Sequence, residues 1–330
     1  METQAQLLEV KNIKKHFPIK GGILQRPQSF VKAVNGVDLT VSEGETLGIV
    51  GESGCGKSTL GRLVIGLEKL TEGTIFFNGE SIGDLPDRKL KKYKRNLQMI
   101  FQDPYASLNP RQKIGDALEE VFIIHSEMDK TERQSKVKEL LKEVGLKEEH
   151  YDRFPHEFSG GQRQRVGIAR ALALNPSLIV CDEAVSALDV SVQAQIMKLL
   201  KKLQEKYNLT YLFISHDLGV VRHMSDRVLV MYLGAQVEMG DSQQIYNNPL
   251  HPYTKALLSA IPRTNPKHKS ERIKLQGDLP SASDYPKGCP FHTRCPIAQA
   301  HCAEVIPEWR EVEENHFVAC HEVQQKGRLE

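Results

Sequence analysis

Residues 46–58 restrict the fold of this 330-residue chain more than any other stretch. Thr46 to Val50 is an apolar run, and Gly51-Glu52-Ser53-Gly54-Cys55-Gly56-Lys57-Ser58 follows it, fitting G-x-x-x-x-G-K-S/T. Ser58 to Leu67 then has helical spacing. A strand that enters a glycine-rich loop and leaves as a helix is the setting in which this pattern holds phosphate. The glycines let successive backbone N–H groups curl around one anion, and the helix N-terminus adds positive potential. Lys57 is expected to reach the β- and γ-phosphates and Ser58 to ligate Mg²⁺.

Around this loop the chain alternates strand and helix signals. Leu7 to Val10 and Phe30 to Val34 read as strand pieces, with turns at Asn35-Gly36 and Glu43-Gly44. Thr74 to Phe77 reads as a strand closed by Asn78-Gly79. Helical spacing takes over with Ile114, Leu118, Val121 and Phe122, and again with Val137, Leu140, Leu141 and Val144. Strand signals return at Leu178 to Cys181, Tyr211 to Ser215 and Val228 to Leu233, with a helix from Val192 to Tyr207 between them. Such alternation argues for a mainly parallel α/β sheet. Residues 263–288 are poor in apolar side chains and read as a linker to a cysteine-rich end.

A second chemical signal is Leu178-Ile179-Val180-Cys181-Asp182-Glu183, an apolar strand closing on two acids. Asp182 is placed to hold Mg²⁺, through water, and Glu183 to orient or deprotonate an attacking water. Composition narrows the partners. Lys and Arg number 44 against 42 Asp and Glu, so the net charge of +2 gives no global case for nucleic acid. The basic run Arg88 to Arg95 reads as a solvated helix face near a membrane surface rather than a nucleic-acid patch. No apolar run of membrane-spanning length occurs, and Met1 to Lys20 has no leader-like apolar core, so no signal peptide is expected.

Between the loop and the acidic strand stands Phe158-Ser159-Gly160-Gly161-Gln162. With it the chain resembles the ATP-binding subunit of an ABC transporter, over roughly residues 5–262. Phe101-Gln102-Asp103-Pro104 resembles that family's Q-loop, Ser186-Ala187-Leu188-Asp189 its D-loop, and His216 its switch histidine. The resemblance implies an α/β fold of the ABC-type P-loop ATPase kind: a RecA-like parallel sheet core, an antiparallel β subdomain, and a helical subdomain at about 103–175 that holds the helical insert 111–158.

It also implies roles. ATP is bound by Gly51, Ser53, Gly54, Cys55, Gly56, Lys57, Ser58, Thr59 and Asp182, with Phe17 stacking on adenine unless Phe30 or a tyrosine serves. Ser58, Gln102 and Asp182 hold magnesium, and Glu183, His216 and Gln102 are catalytic. Ser159, Gly160, Gly161 and Gln162 face the γ-phosphate on an opposite ATPase subunit, and Asp189 aligns the two sites of the dimer. The partners implied are two transmembrane permease subunits, a second homologous ATPase subunit and an extracytoplasmic peptide-binding protein, with the chain peripheral on the cytoplasmic face of the cell (inner) membrane. Cys55 and Cys181 read as small tolerated residues, although a helix N-terminus at Cys55 favours a depressed thiol pKa.

Cys289, Cys295, Cys302 and Cys320 crowd the last 42 residues. Four thiolates suit zinc or an iron–sulfur cluster, and the close C-x2-C pairs usual for structural zinc are absent. His292, His301, His316 and His321 lie near in sequence, so mixed ligation also fits. The run from His251-Pro252-Tyr253 to Ile261-Pro262, and Cys-Pro-Phe-His-x-Arg-Cys-Pro at 289–296, resemble the C-terminal extension of oligopeptide and dipeptide importer ATPases. That branch implies peptide import and a small cysteine-rich metal-binding extension over 263–330 beside a nucleotide-binding domain over 1–262, the four cysteines holding a 4Fe-4S cluster with zinc as the alternative. Nickel, glutathione and oligosaccharide importers of the same branch remain open, and an ABC ATPase acting on nucleic acid or ribosomes is the reading from another class.

Overall fold

The computed structural model describes residues 6–21, 26–103, 105, 107–261, 273–277 and 280–323. In chain order the first strands are β1 (Gln6–Gly21), β2 (Arg26–Ser42) and β3 (Thr46–Val50), then helix α1 (Lys57–Val64). Next come β4 (Glu72–Phe77), β5 (Glu80–Ser81), α2 (Asp87–Lys94) and β6 (Leu97–Ile100). Helices α3 (Ile114–His125), α4 (Lys130–Glu143) and α5 (Gly160–Leu172) follow, then β7 (Leu178–Asp182), α6 (Val190–Tyr207) and β8 (Thr210–Ile214). The last part holds α7 (Leu218–Met224), β9 (Arg227–Tyr232), β10 (Ala235–Asp241), α8 (Ser242–Asn247), α9 (Pro252–Ser259), β11 (Arg310–Glu313) and β12 (His316–Val318).

These elements fall into two compact units. The first takes in Ser42–Glu45 and Leu85–Ile214. Its β6, β7 and β8 pair in parallel, and every residue of β7 and β8 is buried. A strand covered on both faces has no polar side to show, which is why Leu178 to Cys181 reads as an unbroken apolar run. Its helices α3, α4 and α5 bury Ile114, Leu118, Phe122, Val137, Leu141, Val166 and Ile168. Asp129 begins α4 with reciprocal bonds, its carboxylate taking the Glu132 N–H at 2.9 Å while Glu132 takes the Asp129 N–H at 2.9 Å. Helix α2 buries Leu90 and Tyr93 and leaves Arg88, Lys89, Lys91 and Lys92 exposed.

The second unit comprises Gln6–Val41, Thr46–Asp84 and Ser215–Glu330. It carries a sheet in the order β2-β1-β4-β5, with β1–β4 and β4–β5 antiparallel, and the strand series β11-β12-β10-β9-β3. Strand β3 runs parallel to β9, whereas β9 with β10, β10 with β12 and β12 with β11 are antiparallel.

Several expectations shift. Asn35-Gly36 is no chain reversal. It lies inside β2, where Gly36 takes φ +79° and the Asn35 N–H donates to the Gly234 carbonyl at 2.8 Å, so the strand continues through it. The helix after the loop stops at Val64 rather than Leu67, because Gly66 enters the left-handed region and ends it. Within the expected linker, residues 263–272 and 278–279 lie outside the described residues, as do Pro104 and Pro262. The rest of it docks: the Ala282 carbonyl accepts the Lys32 N–H at 3.0 Å, and Lys32 Nζ sits 4.8 Å from the Tyr285 ring centre. No helix among the described residues is long and apolar enough to cross a membrane.

Candidate functional site

In the second unit, β3 delivers the chain into the glycine loop with all five of its residues buried. Gly51 has φ +153°, and a Cβ there would stand 2.2 Å from the Met231 carbonyl oxygen. Gly56 has φ +103°, and its Cβ would stand 2.0 Å from the Ala33 oxygen. Any side chain at these two positions collides with main chain, so the loop's path requires glycine. Ser53 and Gly54 face solvent at its mouth. Lys57 is buried and curls back, donating to the carbonyls of Gly51 at 2.8 Å and Glu52 at 3.0 Å. Ser58 and Thr59 begin α1, half-buried. Phe17 is half-buried on β1 with Lys15 Nζ 4.7 Å from its ring centre, and Phe30 is exposed on β2. His216 is exposed on the short link into α7, whose first turn is capped by the neighbouring Asp217.

Glu52 is tied at several points. Its N–H donates to the Tyr253 hydroxyl at 2.8 Å. Its carboxylate takes two bonds from Arg294, at 2.7 and 3.1 Å. Arg294 Nη1 also reaches the Tyr232 hydroxyl at 3.5 Å. Behind them Tyr232, Tyr253 and Phe291 pack ring against ring with centres 4.8 to 5.3 Å apart, all fully buried. Tyr253 and Arg294 both stand in segments singled out in the sequence, but no spacing rule pairs Glu52 with a residue 242 positions on.

In the first unit, β7 ends in Asp182, which is buried, and Glu183 follows with φ +48°. A left-handed backbone at a residue with a Cβ is strained, and such strain gathers at functional sites. The Glu183 N–H is anchored on the Ile214 carbonyl at 2.9 Å, and its own carbonyl accepts the Ser186 hydroxyl at 2.9 Å. Gln102 Nε2 donates to the Glu183 carboxylate at 2.8 Å, across 81 residues of sequence. These two expected site residues therefore meet.

Ser159 caps α5 by the reciprocal arrangement, its hydroxyl taking the Gln162 N–H while the Gln162 side chain takes the Ser159 N–H at 3.0 Å. Gly160 and Gly161 form the first turn, and a Cβ on Gly161 would stand 2.5 Å from Val192 Cγ1. Asp189 caps α6 through the Val192 N–H at 3.0 Å and takes the Ser191 hydroxyl at 2.6 Å, bonds that lower its pKa.

All six cysteines are free thiols. The expectation of a depressed pKa at Cys55 is reversed: burial raises it, outweighing the Lys57 charge. Burial likewise raises the Cys181 thiol, within β7. Cys289, Cys302 and Cys320 are buried and Cys295 half-buried, and the Cys289 N–H donates to the Cys302 carbonyl at 2.8 Å. Burial first, then the neighbouring thiols Cys320, Cys302 and Cys295, push the Cys289 thiol up to about 11. Cys295, Cys302 and Cys320 stand near enough to Cys289 to raise its pKa, so the four make a soft donor set, and an ion bound there would stabilise their thiolates. His316 does not join them. It is wholly buried and gives Nε2 to Glu238 at 2.8 Å. His301 Nε2, Cys302 Sγ and a Glu322 oxygen lie within 4.8 Å of one another.

The chain matches the ABC transporter family over residues 34–186 and the oligopeptide/dipeptide transporter C-terminal region over residues 237–302. It is 58% identical to the oligopeptide transport ATP-binding protein AppF of Bacillus subtilis (strain 168), over 96% of this chain and 98% of that one. It is 49% identical to the dipeptide transport ATP-binding protein DppF of Escherichia coli (strain K12), over 98% of this chain and 96% of that one. Among solved structures it resembles the dimeric structure of a post-hydrolysis state of the ATP-binding cassette MJ0796 bound to ADP and Pi. That match has 33% identity and a TM-score of 0.64, covering 72% of this chain and 99% of the other.

Proposed function

This chain belongs to the ATP-binding proteins of oligopeptide and dipeptide ABC transporters, and we propose that it drives peptide import as one half of a dimer that closes on two ATP molecules. It is an ABC-type ATPase of α/β P-loop fold. The observation that carries the reading is full-length similarity to AppF, with the loop, the acidic strand and the Ser159 turn all present in one chain. The chain sits peripherally on the cytoplasmic face of the membrane, on two permease subunits, beside a second ATPase chain. A peptide-binding protein delivers cargo outside.

Residue roles follow from chemistry. The loop N–H groups at Ser53, Gly54, Cys55 and Gly56 and the Lys57 ammonium bind the triphosphate, and Phe17 stacks on adenine. The buried Asp182 carboxylate, the Ser58 hydroxyl and Gln102 are oxygen donors of the kind magnesium takes. Magnesium, when bound, neutralises charge on the phosphates. Glu183 orients and deprotonates the attacking water, Gln102 holds its carboxylate, and His216 contacts the γ-phosphate. Ser159, Gly160, Gly161 and Gln162 present a helix N-terminus to the ATP of the partner subunit, and Asp189 aligns the two sites. ATP binds the closed dimer better than the open one, and that difference in affinity does the work on the permeases.

The same reading divides labour between residues 1–262, which handle nucleotide, and 263–330, which form a metal-binding extension. Cys289, Cys295, Cys302 and Cys320 hold a 4Fe-4S cluster as four thiolates. Zinc is the alternative, with His301, Cys302 and Glu322 as a harder donor set. Anaerobically purified protein should be brown and carry iron and sulfide; colourless protein with one zinc per chain decides for zinc. The function itself is tested by affinity capture from detergent-solubilised native membranes. Two permeases, a second ATPase and a peptide-binding protein are expected; ribosomal or DNA-repair proteins without permeases would overturn transport.

A further inference from the structure

The phosphate loop carries a carboxylate that its task does not want. Glu52 sits one residue after Gly51, in a loop whose backbone is shaped to receive a polyanion. An uncompensated carboxylate there repels the ligand, and at a partly exposed site near the protein surface Coulomb energies are still several times those in bulk water. The structure answers this with Arg294. Two parallel N–H···O bonds of 2.7 and 3.1 Å join its guanidinium to both Glu52 oxygens, with the Arg294 side chain only 10% exposed. That fork both cancels the charge and fixes the direction of the carboxylate. Glu52 is held at its other groups as well: its N–H by Tyr253, and its carbonyl by Lys57 Nζ and the Cys55 N–H. Tyr232 joins the two anchors, touching Arg294 and packing on Tyr253.

The geometry points to Arg294 as a positioning residue for nucleotide binding, which neutralises Glu52 and keeps its carboxylate turned toward the extension and away from the bound triphosphate. Arg294 lies five residues after Cys289 and directly before Cys295, so the ordered cysteine segment is what brings this charge to the loop. The inference rests on the reading that residues 51–58 bind ATP, and it gives the extension a direct part in that site.

The pair is testable because its loss does not strand a carboxylate in a dry core. Glu52 and Arg294 form part of the wall of a cavity of about 460 Å³, which also carries Lys274. The Glu52 side chain is 28% exposed. Water enters there, so Arg294→Ala should fold, as thermal melting will show. In the full chain, titration with Mg-ATP should then show affinity reduced about tenfold or more, with kcat for ATP hydrolysis moved far less than KM. The diagnostic is rescue by subtraction. Glu52→Gln in the Arg294→Ala background removes the orphaned charge and should return ATP affinity to within about threefold of the starting protein. A purely structural role for Arg294 predicts the opposite, since a second lost partner cannot repair packing. Arg294→Ala binding ATP like the starting protein, or the double variant binding as weakly as the single one, overturns the proposal. Lys57→Ala separates the two levels of argument. If it binds ATP unchanged, the phosphate-loop reading itself fails; if it loses ATP while Arg294→Ala does not, only the role of Arg294 fails.

Discussion

Glu183 joins an acidic side chain to a strained main chain. Its φ of +48° is maintained because its N–H, its carbonyl and its carboxylate are each bonded, to Ile214, Ser186 and Gln102. Exchanging the carboxylate for an amide keeps the size and removes the base. Glu183→Gln should therefore bind ATP, lose at least about a hundredfold in turnover, and accumulate as an ATP-bound dimer. Steady-state phosphate release and gel filtration with ATP check this, and wild-type turnover would remove Glu183 from catalysis. At this scale the sequence was informative where chemistry is local. Lys57, Asp182 and Glu183 could be placed because a strand, a loop and a helix start are adjacent in the chain. Ser159 and Asp189 could be named, but not their capping bonds to Gln162 and Val192. Cys55 reads in the sequence as a small tolerated residue; the burial that raises its pKa is not legible there, whereas the helix start that would lower it is.

Strand β10 explains why the C-terminal elements were harder to read. It buries Gln236 and Glu238 alongside Val237 and Met239, so its sequence looks polar where its environment is not. Glu238 is wholly buried because its carboxylate accepts the N–H groups of Leu250 at 2.7 Å and His251 at 2.9 Å and Nε2 of His316 at 2.8 Å. Those partners lie up to 78 residues away, outside any periodicity rule. Of the parallel strands, β3, β7, β8 and β9 were legible from their apolar runs, whereas the four-residue β6 was not read. Helix α9 begins within this polar cluster: His251 Nδ1 accepts the Tyr253 N–H at 3.1 Å and caps it. Burial, only partly offset by Glu238 and reinforced by Lys255, lowers the His251 pKa to about 4. The unfolded imidazole titrates near 6.5, so between those values the unfolded chain binds the extra proton. Stability is thus full above about pH 6.5 and falls as the pH drops toward 4, by an amount on the order of 3 kcal/mol. Melting temperature against pH should show this acid slope, and His251→Asn, which keeps a capping acceptor without a titrating ring, should flatten it. An unchanged slope would place the titration elsewhere.

On the scale of the molecule, the order of motifs identified the ATPase, and similarity over nearly the full chain bears that out. How the cysteine-rich end is built in could not be read, because β12 is three residues long and, besides its hairpin with β11, pairs with β10, which lies about 80 residues earlier in the chain. A chain cut after residue 262 loses β12 from β10 and His316 from Glu238. It should aggregate through the bared strand edge, seen by light scattering, whereas the full chain should not; a well-behaved truncated monomer would deny the extension this structural part. The second unit is also assembled from both ends of the chain, Gln6–Val41 with Ser215–Glu330. During synthesis the phosphate loop leaves the ribosome long before its partners do. Arg294 follows Glu52 by 242 residues, which at about 5–20 residues per second is a wait of about 10–50 s. A nascent chain is therefore an incomplete nucleotide binder for nearly all of its time on the ribosome, and its loop acquires its counter-charge only as translation ends.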